Sequence, residues 1–135
     1  MNPIFLSVDD ILQIHQDQIG SYGGTYGIRD INLLRSAAAV PAVTFEGQFL
    51  HTDLAEMAAA YLFHIVNNHP FVDGNKRAGA ASALVFLEMN EAPLDATEDD
   101  LVDVVMSVAS GTLEKTGVIE FFRAHTLPTD ESEEQ

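Results

Sequence analysis

The sequence predicts an all-α fold, a bundle of about six helices, and two observations carry that expectation. Apolar residues recur at helical spacing in one segment after another, and most of these segments open on Ser, Thr or Asp and close at Gly or Pro. With 135 residues and a 47% hydrophobic content, the chain is sized for a single core. One domain is expected over 1–128, followed by an acidic, disordered tail, "TDESEEQ", at 129–135. No internal repeat or low-complexity linker divides it.

The elements follow in order. In "SVDDILQIHQDQI" the apolar Val8, Ile11, Leu12, Ile14 and Ile19 fall mostly at helical spacing behind a Ser7 N-cap, with Asp9 and Asp10 in the first turn. The glycines of "GSYGGTYG", residues 20–27, stop that helix. "RDINLLRSAAAV" is a short alanine-rich helix capped by Asp30 and closed before Pro41, and a loop rich in Pro, Gly and Thr follows. "TDLAEMAAAYLFHIVNN" starts from a Thr52 cap and is apolar on nearly all sides, which marks the central buried helix. "KRAGAASALVFLEMN" is a second apolar helix, and its small residues let backbones approach, so these two pack together. "TEDDLVDVVMSVASG", capped by Thr97 and ending at Gly111, and "KTGVIEFFRAH", a final amphipathic turn or two, complete the set. Met57, Met89 and Met106 read as core methionines. His64 reads as a core or partly buried histidine and not as a metal partner of His69, because Pro70 and Gly74 break the helix there. His15, His51 and His125 read as surface residues.

Composition excludes several functions. The absence of cysteine removes disulfides, thiolate metal sites and thiol nucleophiles, and fits a reducing compartment. The N-terminal "MNPIFLSVDD" has no basic n-region, and no segment approaches the roughly 20 apolar residues of a membrane span. The expectation is a soluble, unexported, cytoplasmic protein. A net charge of -15, from 21 acidic and 6 basic residues, repels phosphodiester backbones and anionic lipids, so direct binding to nucleic acid or membrane is not expected. Against that background Lys76 and Arg77 stand out, two of the six cations side by side in one polar stretch.

That stretch, "HPFVDGNKR" at 69–77, joins the two apolar helices. A helix starting near Gly74 or Asn75 offers unpaired N–H groups to an anion, and Gly74 lets an oxyanion approach the backbone. Lys76 and Arg77 oppose the helix dipole in the first turn, a cost that a bound phosphate offsets. Asp73 is suited to Mg²⁺, which takes few protein carboxylates and completes its shell with water and phosphate oxygens. His69 brings a group that ordinarily titrates near pH 6.5, able to accept a proton from an attacking hydroxyl. Phe71 reads as a buried anchor for the loop. A polar interhelical turn with an Asp cap and surface cations would account for three of these residues. It does not account for the whole set in register.

The motif resembles the signature of the Fic/Doc family, His-Pro-Phe-x-Asp/Glu-Gly-Asn-Gly/Lys-Arg. "YGGTYGIRDINLLRSA" at 22–37, "SALVFLEMN" at 82–90 and "VASGTL" at 108–113 are similar to its death-on-curing (Doc) branch, so the resemblance runs from Ser7 to Arg123. It implies a toxin of a toxin–antitoxin pair that uses ATP and Mg²⁺. By that resemblance His69 is the general base, Asp73 holds Mg²⁺, and Gly74, Asn75 and Arg77 bind phosphates, with Lys76 adding charge to the cup. Members that transfer AMP usually carry glycine where this chain has Lys76 and a second arginine where it has Ala80. Both departures match the Doc branch, which phosphorylates translation elongation factor Tu and so blocks translation. AMP transfer to a protein hydroxyl is the alternative.

"YGGTYGIRD" has two readings, a glycine-rich connection from composition and, from the resemblance, a flap that aligns the target's extended backbone. Arg29 either meets a phosphate or pairs near Asp30. No internal Ser/Thr-x-x-x-Glu-Gly/Asn inhibitory helix is found, which points to restraint by a separate antitoxin. A catalytically silent nucleotide-binding or interaction module is the reading from a different class, and intact His69 and Asp73 speak against it.

Overall fold

Ser7 opens α1 (Val8–Tyr22) with a reciprocal capping box: its hydroxyl accepts the Asp10 amide at 3.1 Å, and the Asp10 carboxylate accepts the Ser7 amide at 2.8 Å. The computed structural model describes residues 2–127, so the tail expected at 129–135 lies outside the described residues. α1 runs through Gly20 and closes only at Gly23, whose φ of 86° ends the helix. Asp30 caps α2 (Ile31–Ala39) by accepting the amides of Asn32 and Leu33, and Pro41 turns the exit into a short 3₁₀ segment, Val40–Ala42.

The loop after Pro41 departs from the all-α expectation by a small antiparallel hairpin, β1 (Thr44–Phe45) and β2 (Gln48–Phe49). Glu46 and Gly47 between the strands both have positive φ, 51° and 78°, as a tight two-residue hairpin turn requires. Two residues per strand leave the chain helical in the main. α3 (Leu54–Asn68) is capped by Asp53, not Thr52: the Asp53 carboxylate accepts the Glu56 amide at 2.8 Å, while the Thr52 amide donates to the Glu56 carboxylate. Aspartate stands one residue nearer the open amides and wins the position.

α3 is the axis of the bundle, packed by α2, α4 (Asn75–Met89), α5 (Glu98–Ala109) and α6 (Lys115–His125). Met57, Ala58, Ala59, Ala60, Tyr61, Leu62 and Ile65 are wholly buried, which accounts for its lack of a polar face. α4 lies close against it at Gly79, where a Cβ would stand 2.7 Å from Val66 Cγ2 and 3.2 Å from the Leu62 carbonyl oxygen. Buried Tyr61 ties down the N-terminal segment, its hydroxyl accepting the Leu6 amide at 2.8 Å, and burial pushes that phenol up to about 12.

Three expectations about side chains need correction. Met57 is in the core, but Met89 at the end of α4 and Met106 on α5 are exposed, 38% and 52%. His15 and His51 are buried, not on the surface; His15 stacks on a core phenylalanine and His51 accepts from Lys115. α6 has 11 residues, three turns in place of one or two, because Lys115 and Arg123 fasten both its ends to α3 and the residues preceding it.

Candidate active site

The polar stretch is built where α3 stops. His69 is the α3 C-cap in left-handed conformation (φ 52°, ψ 55°), its amide still donating to Ile65, and Pro70 ends the helix. A non-glycine residue in that conformation is held by its surroundings. Arg29 does the holding: Nε donates to the His69 carbonyl at 2.6 Å and Nη2 to the Asn68 carbonyl at 2.9 Å. Two of the three guanidinium nitrogens of Arg29 are thus bonded to α3 carbonyls. The side chain covers the free carbonyls at the negative end of α3.

Next, residues 70–72 pair with 27–30. The Pro70 carbonyl accepts the amides of Arg29 and Asp30, the Val72 amide donates to Gly27, and Ile28 bridges Phe71. Phe71 is fully buried, as expected of an anchor, and its amide and carbonyl are both bonded by the Asn75 side chain, at 2.9 and 3.0 Å. Asn75 is itself 5% exposed, so its amide group closes the loop while its backbone N–H remains at the start of α4.

Asp73 then turns the chain. Its Oδ1 accepts the Gly74 amide at 2.8 Å and its Oδ2 the Thr25 amide at 3.0 Å. These two bonds, Thr25's first, hold the carboxyl below its usual range, with the charge of Arg77 adding to them. The carbonyl of Asp73 accepts a hydrogen bond from His15 Nε2 at 2.7 Å. Gly74 is the α4 N-cap with φ 79°, and no side chain caps the helix, in contrast to α1, α2, α3 and α5. Lys76 and Arg77 follow in the first turn of α4. Arg77 Nη1 donates to the Gly23 carbonyl at 2.9 Å, and among the described residues neither cation forms an ion pair.

All six residues singled out in the sequence, His69, Asp73, Gly74, Asn75, Lys76 and Arg77, line one cleft of about 450 Å³. Ala80, one turn on, faces a neighbouring apolar groove of about 550 Å³ between α1, α4 and α5. The one carboxylate at the cleft that could take a cation together with phosphate is that of Asp73. Asp73 is ionised and presents one carboxylate, and among the described residues no group of three His, Asp or Glu gathers to hold a metal by protein alone.

A sequence profile of the Fic/DOC family matches residues 5–87. The chain belongs to the Fic/DOC family. Among its relatives is "Toxin Doc" of Mycolicibacterium smegmatis (strain ATCC 700084 / mc(2)155), 40% identical over 79 residues that cover 58% of this chain and 61% of that protein. "Protein kinase doc" of Escherichia phage P1 is 32% identical over 120 residues, 87% of this chain and 92% of that protein.

This Fic/DOC chain builds its cleft with residues the motif does not contain. His15, Arg29 and the Gly23–Thr25 backbone reach the loop from 40 to 58 positions away in sequence, and no local pattern marks them. A weak signal existed for one of them: His15 follows Ile11 and precedes Ile19 by one turn each, so it lies on the buried stripe of α1.

Proposed function

We propose that this protein is a Doc-like toxin that transfers the γ-phosphoryl group of ATP to a hydroxyl side chain of a translation factor, elongation factor Tu. Membership of a family of transferases and a relative named as a protein kinase support the enzyme reading. The single observation that carries it is the gathering of a histidine, a carboxylate and an uncapped, doubly cationic helix N-terminus around one cleft. In the reaction, His69 takes the proton from the target hydroxyl, whose oxygen forms the new bond to the γ-phosphorus as the bond to the β,γ-bridging oxygen breaks and ADP leaves. The α4 amides, Lys76 and Arg77 hold phosphate oxygens, and Gly74 lets them approach the backbone. Asp73 would hold Mg²⁺, which supplies charge neutralisation on the phosphates. By the family resemblance the segment 22–30, bonded along the loop through Thr25, Gly27, Arg29 and Asp30, is the flap for the target chain.

AMP transfer is the second reading, and Ala80 disfavours it: a methyl group facing an apolar groove cannot clamp a departing pyrophosphate. A toxin calls for restraint, so a separate antitoxin protein is the expected partner, in a cytoplasmic setting; no described helix is long and apolar enough to cross a membrane.

The test is the intact mass of elongation factor Tu after incubation with ATP and Mg²⁺. The wild-type chain should add one phosphoryl group, and His69→Ala should slow this by about 10² to 10⁴ while still binding ATP. An undiminished rate in the variant would remove His69 from its role.

A further inference from the structure

His15 is 3% exposed, and nothing in the loop motif calls for it. Its ring lies flat on Phe71, centroids 3.8 Å apart and planes 3° from parallel, and its Nε2 is 2.7 Å from the Asp73 carbonyl oxygen. A carbonyl only accepts, so Nε2 carries the hydrogen. The Asp73 carbonyl and the Gly74 N–H belong to one planar, trans peptide unit, with oxygen and hydrogen on opposite sides. Drawing the oxygen down to His15 therefore aims the Gly74 N–H up, and that N–H is the group bonded to Asp73 Oδ1 at 2.8 Å. Gly74 lies against the Nε2–Cδ2 edge of the ring: a Cβ there would be 3.5 Å from His15 Nε2 and 3.0 Å from Ile19 Cδ1.

From this geometry we infer that His15 is a positioning residue of the cleft: it sets the plane of the 73–74 peptide and thereby the direction of the Asp73 carboxylate and the α4 N-terminus. The inference rests on the reading of the cleft as a metal–nucleotide site. It separates from ordinary core packing, because a packing plate needs only a ring and a positioning donor needs the N–H. His15→Phe keeps the ring and removes the donor; His15→Gln removes the ring and keeps a donor at the same reach.

The experiment measures Mn²⁺ bound, by electron paramagnetic resonance, in the presence of a non-hydrolysable ATP analogue, together with hydrogen exchange at the Gly74 amide. Loss of an orienting partner of this kind weakens metal affinity by about 10- to 100-fold. His15→Phe should lose that much and exchange Gly74 faster, and His15→Gln should stay near wild type in both. A Phe variant equal to wild type, or a Gln variant as poor as the Phe variant, would overturn the assignment. Should the Phe variant not fold, the wild-type imidazole ¹⁵N spectrum decides: hydrogen on Nε2 is required, and a bare Nε2 contradicts the bond. If wild type itself takes up no Mn²⁺ with the analogue, the nucleotide reading fails, while the nitrogen spectrum and Gly74 exchange still judge His15.

Discussion

Two carbonyls at the end of α3 decide where His69 points. Arg29 bonds both, and without it the left-handed residue is tethered only by its own amide and the Pro70 carbonyl pairing. Arg29→Ala should therefore misplace the base more than it weakens ATP: kcat falls about 10- to 100-fold, the range expected for a displacement near 1 Å, with KM for ATP little changed. Steady-state kinetics check this, and a change confined to KM would return Arg29 to a phosphate-binding role. At this scale the chemistry was readable only where it is contiguous. His69, Asp73, Gly74, Asn75, Lys76 and Arg77 stand within nine residues and line one cleft. Arg29 and His15 act through backbone atoms of that stretch, and contacts spanning 40 or 58 residues leave no more mark than the place of His15 on the buried stripe of α1.

Among the elements, the glycine segment after α1 and the docking of α6 carry consequences. A Cβ on Gly24, with φ 120°, would lie 2.6 Å from Asp73 Oδ2, 2.9 Å from Ile19 Cδ1 and 3.1 Å from Arg77 Nη2, whereas one on Gly23 would meet nothing within 4 Å. Gly24→Ala should abolish transfer and ATP binding together, while Gly23→Ala meets only the cost of its positive φ and stays active; transfer assays and ATP titration of the pair distinguish them. α6 docks through Lys115, whose Nζ bonds His51 Nε2 at 2.8 Å and His64 Nε2 at 2.9 Å. Both rings must be neutral to accept these bonds. Burial first, then the Lys115 charge, holds His64 down to about 4 and His51 below its usual value. Above pH 6.5 these rings are neutral whether folded or not and cost nothing. As pH falls from 6.5 toward 4 the unfolded chain takes up protons that the folded one refuses, so stability drops over that window. The fall in melting temperature between pH 7 and pH 4.5 should be shallower in His64→Phe by about 2–5 °C; an identical slope would mean that the folded chain protonates this ring as readily as the unfolded one. The helices themselves were legible from spacing and caps. The hairpin at 44–49 was not, because two residues per strand are too few to show alternation and Glu46 takes a positive φ without being glycine.

For the whole molecule, a net charge of -15 makes the use of each cation informative. Lys115 and Arg123 fasten α6, Arg29 covers the end of α3, Arg35 lies exposed on α2, and Lys76 and Arg77 remain at the cleft. The rest of the surface repels polyanions, and at the cleft a compact phosphate ligand of the kind proposed would meet positive charge and a helix N-terminus together. Which phosphorus is presented there separates a protein kinase from an AMP transferase, and Lys76 with Ala80 argues for the γ position. The decisive measurement incubates the chain and elongation factor Tu with ATP labelled at either the α or the γ phosphorus. Label should pass to the target from the γ position alone; label arriving from the α position would make the protein an AMP transferase and contradict the account.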